Sequence, residues 1–304
     1  PCGVFGAAVA ASKILGLDEG QMGSSMGIAG SQAAGSMEFL ADGAWTKRFH
    51  AGWAAHSGLI AALLAKKGFK GPSTILEGRN GFLHGYSASS DPSKVLEELG
   101  DSYHVVTTSI KPHACCRYKQ APIDGVLEIM GKNRLRPDEV ERVTLGILKT
   151  GFPLIVTPEE SKYNPRSVVD AQFSMPFGAA VAMLYGKASL DEYTLEKLNS
   201  PRVREMMNKV SCVEDPELDK VYPKQWPATA EIVTRDGNSY SAKIDYPKGD
   251  PENPLTWDEL IDKVNGLASS VYSGSHLNEI VQRTRHLDKE TDLRKFTPLL
   301  LRDS

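Results

Sequence analysis

Apolar residues recur at helical spacing through the first third of the chain. The pattern predicts helices over residues 5–15, from Asp18 to about residue 40, over residues 51–67, and briefly after Asp91-Pro92. Asp18 and Gln21 have the spacing of a capping box, and Gly16 stands where the first helix should end. This part of the chain is therefore expected to be all-helical.

The second of these predicted helices is interrupted by glycines at positions 23, 27, 30 and 35. Each would cost about 1 kcal/mol relative to Ala in an exposed helix. The cost is acceptable where a missing side chain lets another backbone approach closely. We therefore expect this helix to be buried among its neighbours.

The pattern changes after Gly100. Alternating or β-branched runs predict strands over residues 103–110, 140–148, 228–233 and 240–246. The last two flank Asp236-Gly237-Asn238, a strong hairpin signal. Helical spacing returns over residues 115–131, 168–184, 190–210, 257–264 and 277–281, and the proline-rich residues 247–254 are predicted to be a linker.

The order of these elements predicts a mainly α protein with an inserted α+β lid domain. We expect a large helical domain from residues 1–102 and 250–304, and a smaller α/β domain from residues 103–249. The chain opens with Pro1-Cys2, without a signal-peptide pattern, and helical spacing begins at Val4. We therefore also expect a preceding segment that this sequence lacks.

Composition and charge narrow the class of function. Lys plus Arg total 35 and Asp plus Glu total 38, a net charge of −3, which argues against a nucleic-acid partner. Hydrophobic residues make up 41% of the chain, and no apolar run approaches the ~20 residues of a membrane span. Four cysteines are too few for a disulfide scaffold. The prediction is a cytoplasmic protein with no membrane and no nucleic-acid partner.

Familiar cofactor and nucleophile motifs are absent or misplaced in the sequence. Residues 23–27 match G-x-S-x-G but lie inside a predicted helix, without the preceding strand of a nucleophile elbow. Cys115 and Cys116 are adjacent and lack C-x-x-C spacing, so a metal site would need the distant Cys212. No G-x-G-x-x-G follows a predicted strand, which argues against a dinucleotide site, while a cluster that includes Cys212 stays open.

Residues 46–50 combine three basic side chains near a predicted helix start. Lys47 and His50 share one helical face, close to backbone amides that favour anions. With Arg48, they would suit a substrate that carries carboxylates. The alternative is a solvated basic turn in which His50 caps a neighbour, and composition alone favours that alternative.

Residues 111–119 form a second candidate segment, between a predicted strand and a predicted helix. Pro112 holds Lys111 in an extended conformation at the strand end. Cys115 and Cys116 would lie in the first helical turn, where a thiolate is favoured. The alternative is two small buried cysteines before a basic surface helix, and His113 is equally suited to a structural role.

Taken together, these stretches resemble the MmgE/PrpD family. The resemblance rests on residues 43–52, 54–55, 58–65, 75–78, 81–82, 110–112, 115–118, 123–124 and 170–174. It implies a large helical domain with an inserted lid, a homodimer, and chemistry without a metal or organic cofactor. By similarity, Lys47 and Lys111 match the family's active-site lysines, with His50 nearby. The residues expected to bind substrate beside them are Arg48, His113, Cys116 and Arg117.

That family includes 2-methylcitrate dehydratase, cis-aconitate decarboxylase and an epimerase of iminodisuccinate. The decarboxylase branch has a site tyrosine where this chain aligns Phe152, and a lid histidine where it aligns Cys116. Both differences argue against decarboxylation. The resemblance therefore implies metal-independent dehydration of a 2-methylcitrate-like tricarboxylate. The alternatives are an epimerase of a dicarboxylic amino-acid derivative, a cis-aconitate-type decarboxylase and a non-catalytic homologue.

Overall fold

The computed structural model describes residues 1–301. The chain divides into two compact units, Pro1–Tyr103 and His104–Ser304. The prediction of a mainly α chain with a smaller α/β part is confirmed. The finer division into residues 1–102, 103–249 and 250–304 stays a prediction.

Helices alone form the first unit: α1 (Gly3–Ile14), α2 (Glu19–Gly30), α3 (Thr46–Lys66) and α4 (Phe82–Tyr86). The first three pack around small side chains, and Ala8 and Ala61 are fully buried. Small residues allow close helix packing, since a Cβ atom added to Gly58 would lie 2.5 Å from the Cβ of Ala7. The all-helical prediction for this part of the chain is confirmed.

Helix α2 begins as predicted but ends earlier. Asp18 accepts a hydrogen bond from the backbone N–H of Gln21 at 2.8 Å, which completes the predicted capping box. The prediction that this helix reaches about residue 40 is wrong. It ends at Gly30, and the chain then turns through Gly35, whose φ of +146° is not helical. Close backbone approach is confirmed at Gly27, where an added Cβ would lie 2.5 Å from a backbone oxygen.

A four-stranded sheet forms the centre of the second unit. Its strands are β1 (Val140–Ile147), β2 (Val210–Glu214), β3 (Ala228–Thr234) and β4 (Ser239–Ile244). Their order is β2-β1-β3-β4, with β1 and β2 parallel and the other neighbours antiparallel. The predicted hairpin is confirmed between β3 and β4, where Gly237 takes a φ of +87°.

Helices form the rest of the regular structure of the second unit. They are α5 (Gln120–Lys132), α6 (Phe152–Ile155), α7 (Glu159–Tyr163), α8 (Val168–Gln172), α9 (Met175–Tyr185), α10 (Leu195–Asn199), α11 (Pro201–Met207), α12 (Pro216–Asp219), α13 (Trp257–Ala268) and α14 (Gly274–Arg285). Helix α5 packs on β3 and β4, and α9 packs against α5 and β2. Gly125 lets α5 lie close to the sheet, because an added Cβ would be 3.0 Å from the Cβ of Ala230.

Three sequence-based predictions for this unit are wrong. Residues 103–110 form no strand; they contain a 3₁₀ turn, His104–Thr107, because their β-branched side chains meet no partner strand. The predicted helix over residues 190–210 is broken and leads into β2, since Val210 pairs with Val143. The predicted helix over residues 168–184 is interrupted at Ser174, whose hydroxyl caps α9. No helix formed by residues 1–301 is long and apolar enough to cross a membrane.

Candidate functional site

The first turn of α3 carries three predicted site residues in the first unit. Lys47 Nζ lies 6.0 Å from the centroid of the Phe39 ring, and the His50 ring packs edge-on against the same ring at 6.2 Å. This shared contact confirms that Lys47 and His50 lie on one helical face. Arg48 lies over a different ring, that of Trp45, at 5.7 Å.

In the second unit, residues 110–116 form a turn that holds Lys111. This lysine is half-buried, and its Nζ donates to the backbone oxygen of Cys115 at 3.2 Å. No carboxylate of residues 1–301 forms an ion pair with it. The predicted position at the end of a strand is wrong, because no strand precedes the turn. Within residues 1–301, this ammonium therefore donates to an uncharged oxygen rather than to a carboxylate.

His113 is buried in the same turn and is held by a carboxylate. Its Nε2 lies 2.9 Å from Oδ1 of Asp124. The other oxygen of Asp124 accepts the backbone N–H of Lys248 at 2.7 Å. A carboxylate that contacts one ring nitrogen fixes the orientation of the imidazole, as it does in acid–base dyads.

Cys115 and Cys116 lie inside the protein beside Gln120. The side-chain amide of Gln120 stabilises the turn with two hydrogen bonds to the backbone of His113. Its Oε1 accepts the N–H at 3.2 Å, and its Nε2 donates to the C=O at 3.1 Å. The cysteines precede α5, so their predicted place in a first helical turn is wrong. They are buried, as the alternative predicted, but the basic surface helix of that alternative is wrong at Lys119, which is fully buried. Burial raises the pKa of Cys115. No group of three or more His, Cys, Asp or Glu among residues 1–301 is placed to hold a metal ion.

Residues 248–250, here termed the 248–250 clamp, hold this turn from the outside. Besides the bond from Lys248 to Asp124, the carbonyl of Gly249 accepts the N–H of Ile110 at 2.8 Å. Gly249 has a φ of +89°, and an added Cβ would lie 1.8 Å from the carbonyl oxygen of Ile110. Only glycine fits there.

The third residue of the clamp binds Arg117. Asp250 is buried, and its Oδ2 accepts from Nη2 of Arg117 at 2.6 Å. The guanidinium also lies 4.9 Å from the centroid of the Trp226 ring. Arg117, predicted to bind substrate, is thus already engaged by two groups of its own chain. The segment predicted to be a linker instead fixes the candidate site.

A cleft of about 570 Å³ opens beside His113 within the second unit, here termed the His113 cleft. Residues 186–191 and part of α13 contribute to its walls. The charged residues in its lining are Lys187, Lys248, Lys263, Asp124, Asp191, Glu259 and Asp262. Several of these charges are paired, since Lys248 lies 3.0 Å from Glu259 and Lys187 lies 3.6 Å from Asp191.

Lys263 is the exception among the three lysines of the cleft. It is half-buried on α13, and no carboxylate within residues 1–301 forms an ion pair with it. Burial lowers its pKa, and the nearby charge of Lys111 lowers that pKa further.

A separate polar cluster surrounds Lys119, which is fully buried in the second unit. Its Nζ donates to the backbone oxygen of Ala171 at 2.9 Å and to the hydroxyl of Tyr193 at 3.1 Å. Gly178 makes room for it, because an added Cβ would lie 2.9 Å from Nζ. Burial lowers the pKa of Lys119 to about 8 and raises that of Tyr193. The other titratable groups close enough to affect Lys119 are Cys115, Cys116, Lys162 and Cys212.

Sequence reasoning missed Lys119, Lys263 and Asp250. A signal exists for Lys119, because positions 119, 123, 126 and 130 share one helical face and the last three are apolar. A lysine that continues an apolar stripe is a candidate for burial. Lys263 lies on the polar side of an amphipathic helix, and Asp250 lies in an aperiodic segment, so neither carries such a signal.

Two family models match the chain. The model described as the MmgE/PrpD N-terminal domain matches residues 1–94, and the MmgE/PrpD C-terminal domain matches residues 113–288. The second match alone covers more than half of the chain.

Curated proteins also match nearly the whole chain. It is 30% identical to a cis-aconitate decarboxylase-like protein of Aspergillus oryzae, and 28% and 26% identical to cis-aconitate decarboxylases of Aspergillus terreus and Mus musculus. Each match covers 98% of this chain but only 60 to 64% of the relative. The chain thus spans less than two thirds of the length of these relatives.

Proposed function

The chain belongs to the MmgE/PrpD family, and from this premise we propose that the protein is a lyase that acts on a polycarboxylate. The finer proposal is dehydration of a 2-methylcitrate-like tricarboxylate without a metal ion. The observation that carries the lyase proposal is Lys111, a half-buried ammonium that bonds to a backbone oxygen and to no carboxylate of residues 1–301. Its charge is available for a carboxylate of the substrate.

Dehydration of such a substrate removes a proton from the carbon next to a carboxylate and releases the hydroxyl group as water. Negative charge builds up on that carboxylate as the C–H bond breaks, so a cation that binds it lowers the barrier. We assign this task to Lys111 and, from the family resemblance, to Lys47. A hydrogen bond to a charged group contributes about 1.5–3 kcal/mol, so loss of Lys111 should lower kcat/KM by about 10- to 100-fold.

Two histidines are candidates for the proton transfer. His50 is proposed from the family resemblance. His113 is the second candidate, because Asp124 fixes its imidazole at the wall of the cleft. His50→Gln and His113→Gln separate them, since loss of the base removes one limb of the pH–rate profile. Loss of a positioning residue instead lowers the rate at every pH.

Decarboxylation of a cis-aconitate-like acid is the second candidate function. The observation that favours it is the name of the relatives that match 98% of the chain. Loss of CO₂ also leaves negative charge next to a carboxylate, so Lys111 would serve either reaction. Phe152 and Cys116 are the aligned differences that favour dehydration.

Proton NMR in heavy water, with a chelator present, tests both candidates. With 2-methylcitrate, a growing vinylic or vinylic-methyl signal supports dehydration. With cis-aconitate, the alkene signals of a five-carbon diacid support decarboxylation. Deuterium exchange without an alkene supports an epimerase, and polycarboxylate-dependent stabilisation without any turnover supports a non-catalytic homologue.

Variants connect the reaction to the site. Lys111→Met should lose most of the turnover, whereas Lys132→Met, which changes an exposed lysine on α5, should keep it. Wild-type turnover by Lys111→Met would show that the role assigned to this lysine is wrong. The homodimer implied by the resemblance is part of this proposal, and sedimentation of the purified protein tests it.

A further inference from the structure

Helix α3 has an outer face that is apolar along most of its length. Its inner face packs on α1 and α2 through small buried residues such as Ala61 and Ala65. On the outer face, apolar and aromatic side chains recur every three or four positions, so they form one row along the helix. This row, here termed the α3 stripe, consists of Trp45, Phe49, Trp53, His56, Leu59 and Leu63, all of them exposed.

Three rings of the α3 stripe are stacked on one another. The ring centroids of Phe49 and Trp53 lie 5.5 Å apart, and those of Trp53 and His56 lie 5.2 Å apart. Rings that already contact each other lose little freedom when a partner covers them. The stripe extends over about 27 Å at the helical rise, and a continuous exposed apolar row of this kind is typical of an interaction surface.

The charges around the α3 stripe are all positive. Residues 43–76 contain no Asp or Glu, although the net charge of the whole chain is −3. The basic residues of this segment are Lys47, Arg48, Lys66, Lys67 and Lys70. The surface around the stripe therefore favours a partner that carries carboxylates.

These cations lie at both ends of the stripe. Arg48 lies 5.7 Å from the centroid of the Trp45 ring, at the start of α3. Lys66 and Lys67 follow Leu63 by one helical turn, and no carboxylate of residues 1–301 forms an ion pair with either of them. Two copies of α3 would bring basic ends together in a parallel or an antiparallel pair, so a second copy of this helix is a poor partner.

We propose that the α3 stripe binds an acidic amphipathic helix of a second protein. The apolar side chains of that helix would cover the stacked rings, and its carboxylates would pair with Arg48 at one end and with Lys66 and Lys67 at the other. The inference does not rest on the proposed reaction. Lys47 and His50 contact Phe39, which lies outside the stripe.

Fluorescence anisotropy with two labelled helical peptides tests this inference. Both peptides have the length of α3 and the same row of leucines, but one carries Glu and the other Lys beside that row. The wild type should bind the Glu peptide at least tenfold more tightly than the Lys peptide, and added salt should reduce this preference. Equal affinities, or no binding of the Glu peptide, would overturn the inference.

Matched variants connect binding to the stripe. Phe49→Ser should weaken binding of the Glu peptide at least tenfold, because stacked aromatic residues dominate such interfaces. Phe69→Ser is the control, since Phe69 is 59% exposed, as Phe49 is at 58%, but lies outside the stripe. Its affinity should stay within twofold of the wild-type value.

A second pair of variants tests the charges. Replacing Lys66 and Lys67 by Gln should weaken binding of the Glu peptide by about fivefold, whereas Lys13→Gln, at an exposed lysine in the last turn of α1, should not. All these side chains are exposed, so the melting temperatures should stay close to that of the wild type. Weaker binding that appears only together with a lower melting temperature would contradict a direct role of the stripe.

Sedimentation distinguishes the proposed partner from a second copy of the chain. A dimer that Phe49→Ser leaves intact, and that still binds the Glu peptide in its wild-type form, supports the inference. A dimer that Phe49→Ser dissociates, and that does not bind the peptide in its wild-type form, would show that a second copy covers the stripe and would overturn it.

Discussion

Replacing the buried Lys119 by Met tests whether the second unit carries an ionised lysine in its interior. Met is unbranched, as Lys is, and fills most of the same space without a charge. The change removes the hydrogen bonds from Nζ to Ala171 and Tyr193. It also removes the cost of keeping an ammonium group away from water.

The magnitude follows from the pKa of Lys119, which burial lowers from 10.5 to about 8. A tenfold change in an ionisation constant corresponds to about 1.4 kcal/mol, so protonated Lys119 destabilises the folded state by about 3 kcal/mol. The two hydrogen bonds that Met cannot form each stabilise the wild type by about 1 kcal/mol, which offsets part of this destabilisation. Lys119→Met should therefore be about 1 kcal/mol more stable than the wild type at pH 7.

The dependence on pH gives the sharper test. Below pH 8 the folded and unfolded states both bind the proton, so protonated Lys119 destabilises the folded state by the full amount. Between pH 8 and 10.5 the unfolded state binds more protons, so the stability of the wild type rises with pH. From pH 7 to 9 the wild type should gain about 1 kcal/mol relative to Lys119→Met.

Urea unfolding of both proteins at pH 7, 8 and 9 measures this difference. Burial raises the pKa values of Cys115 and Tyr193, and both neighbours are present in both proteins. The control is Lys132→Met, at an exposed position on α5, whose stability should change with pH in parallel with that of the wild type. Parallel profiles for the wild type and Lys119→Met would refute the reasoning.

Three further predictions concern a close backbone contact, an ion pair and the burial of a cysteine. Gly249→Ala should destabilise the protein by more than about 2 kcal/mol in urea unfolding, because the added Cβ meets a backbone oxygen. Gly237→Ala, at a similar positive φ but in open space, should cost about 1 kcal/mol, and equal costs would contradict the role of the close contact. Asp124→Asn should destabilise by about 1–3 kcal/mol and lower turnover, and unchanged unfolding would show that its two contacts contribute nothing. Iodoacetamide should modify the exposed Cys2 much faster than Cys115, as mass spectrometry of the folded protein would report; similar rates would contradict the burial of Cys115.

Local signals predicted the elements that depend on local chemistry. The Asp18 capping box starts α2, and Gly237 closes the β3–β4 hairpin. Residues 103–110 have the composition of a strand but form none, because a strand also needs a neighbour with free backbone groups. Strand β2 was missed for the converse reason, since its pairing with β1 is set by residues far away in sequence.

In the candidate site, too, some residues could be predicted from local sequence and others could not. Lys111 and His113 could be named because they belong to a recognisable segment, and the resemblance drew attention to it. Asp250 and Lys263 could not be named, because they come from the part of the chain that was predicted to be a linker and a return helix. The pairing of Lys111 with an uncharged oxygen, which carries the proposed function, is a property of the folded turn alone.

The 248–250 clamp has a consequence for the order in which the protein is assembled. Arg117 and Asp250 are 133 positions apart, and Asp124 and Lys248 are 124 apart. A growing chain therefore exposes the turn with Lys111 long before the residues that fix it leave the ribosome. Closing such long loops late slows folding, and the cost in entropy is recovered only when the last contacts form. A chain that stops after β4 would keep all four strands and still leave the candidate site without its outer support.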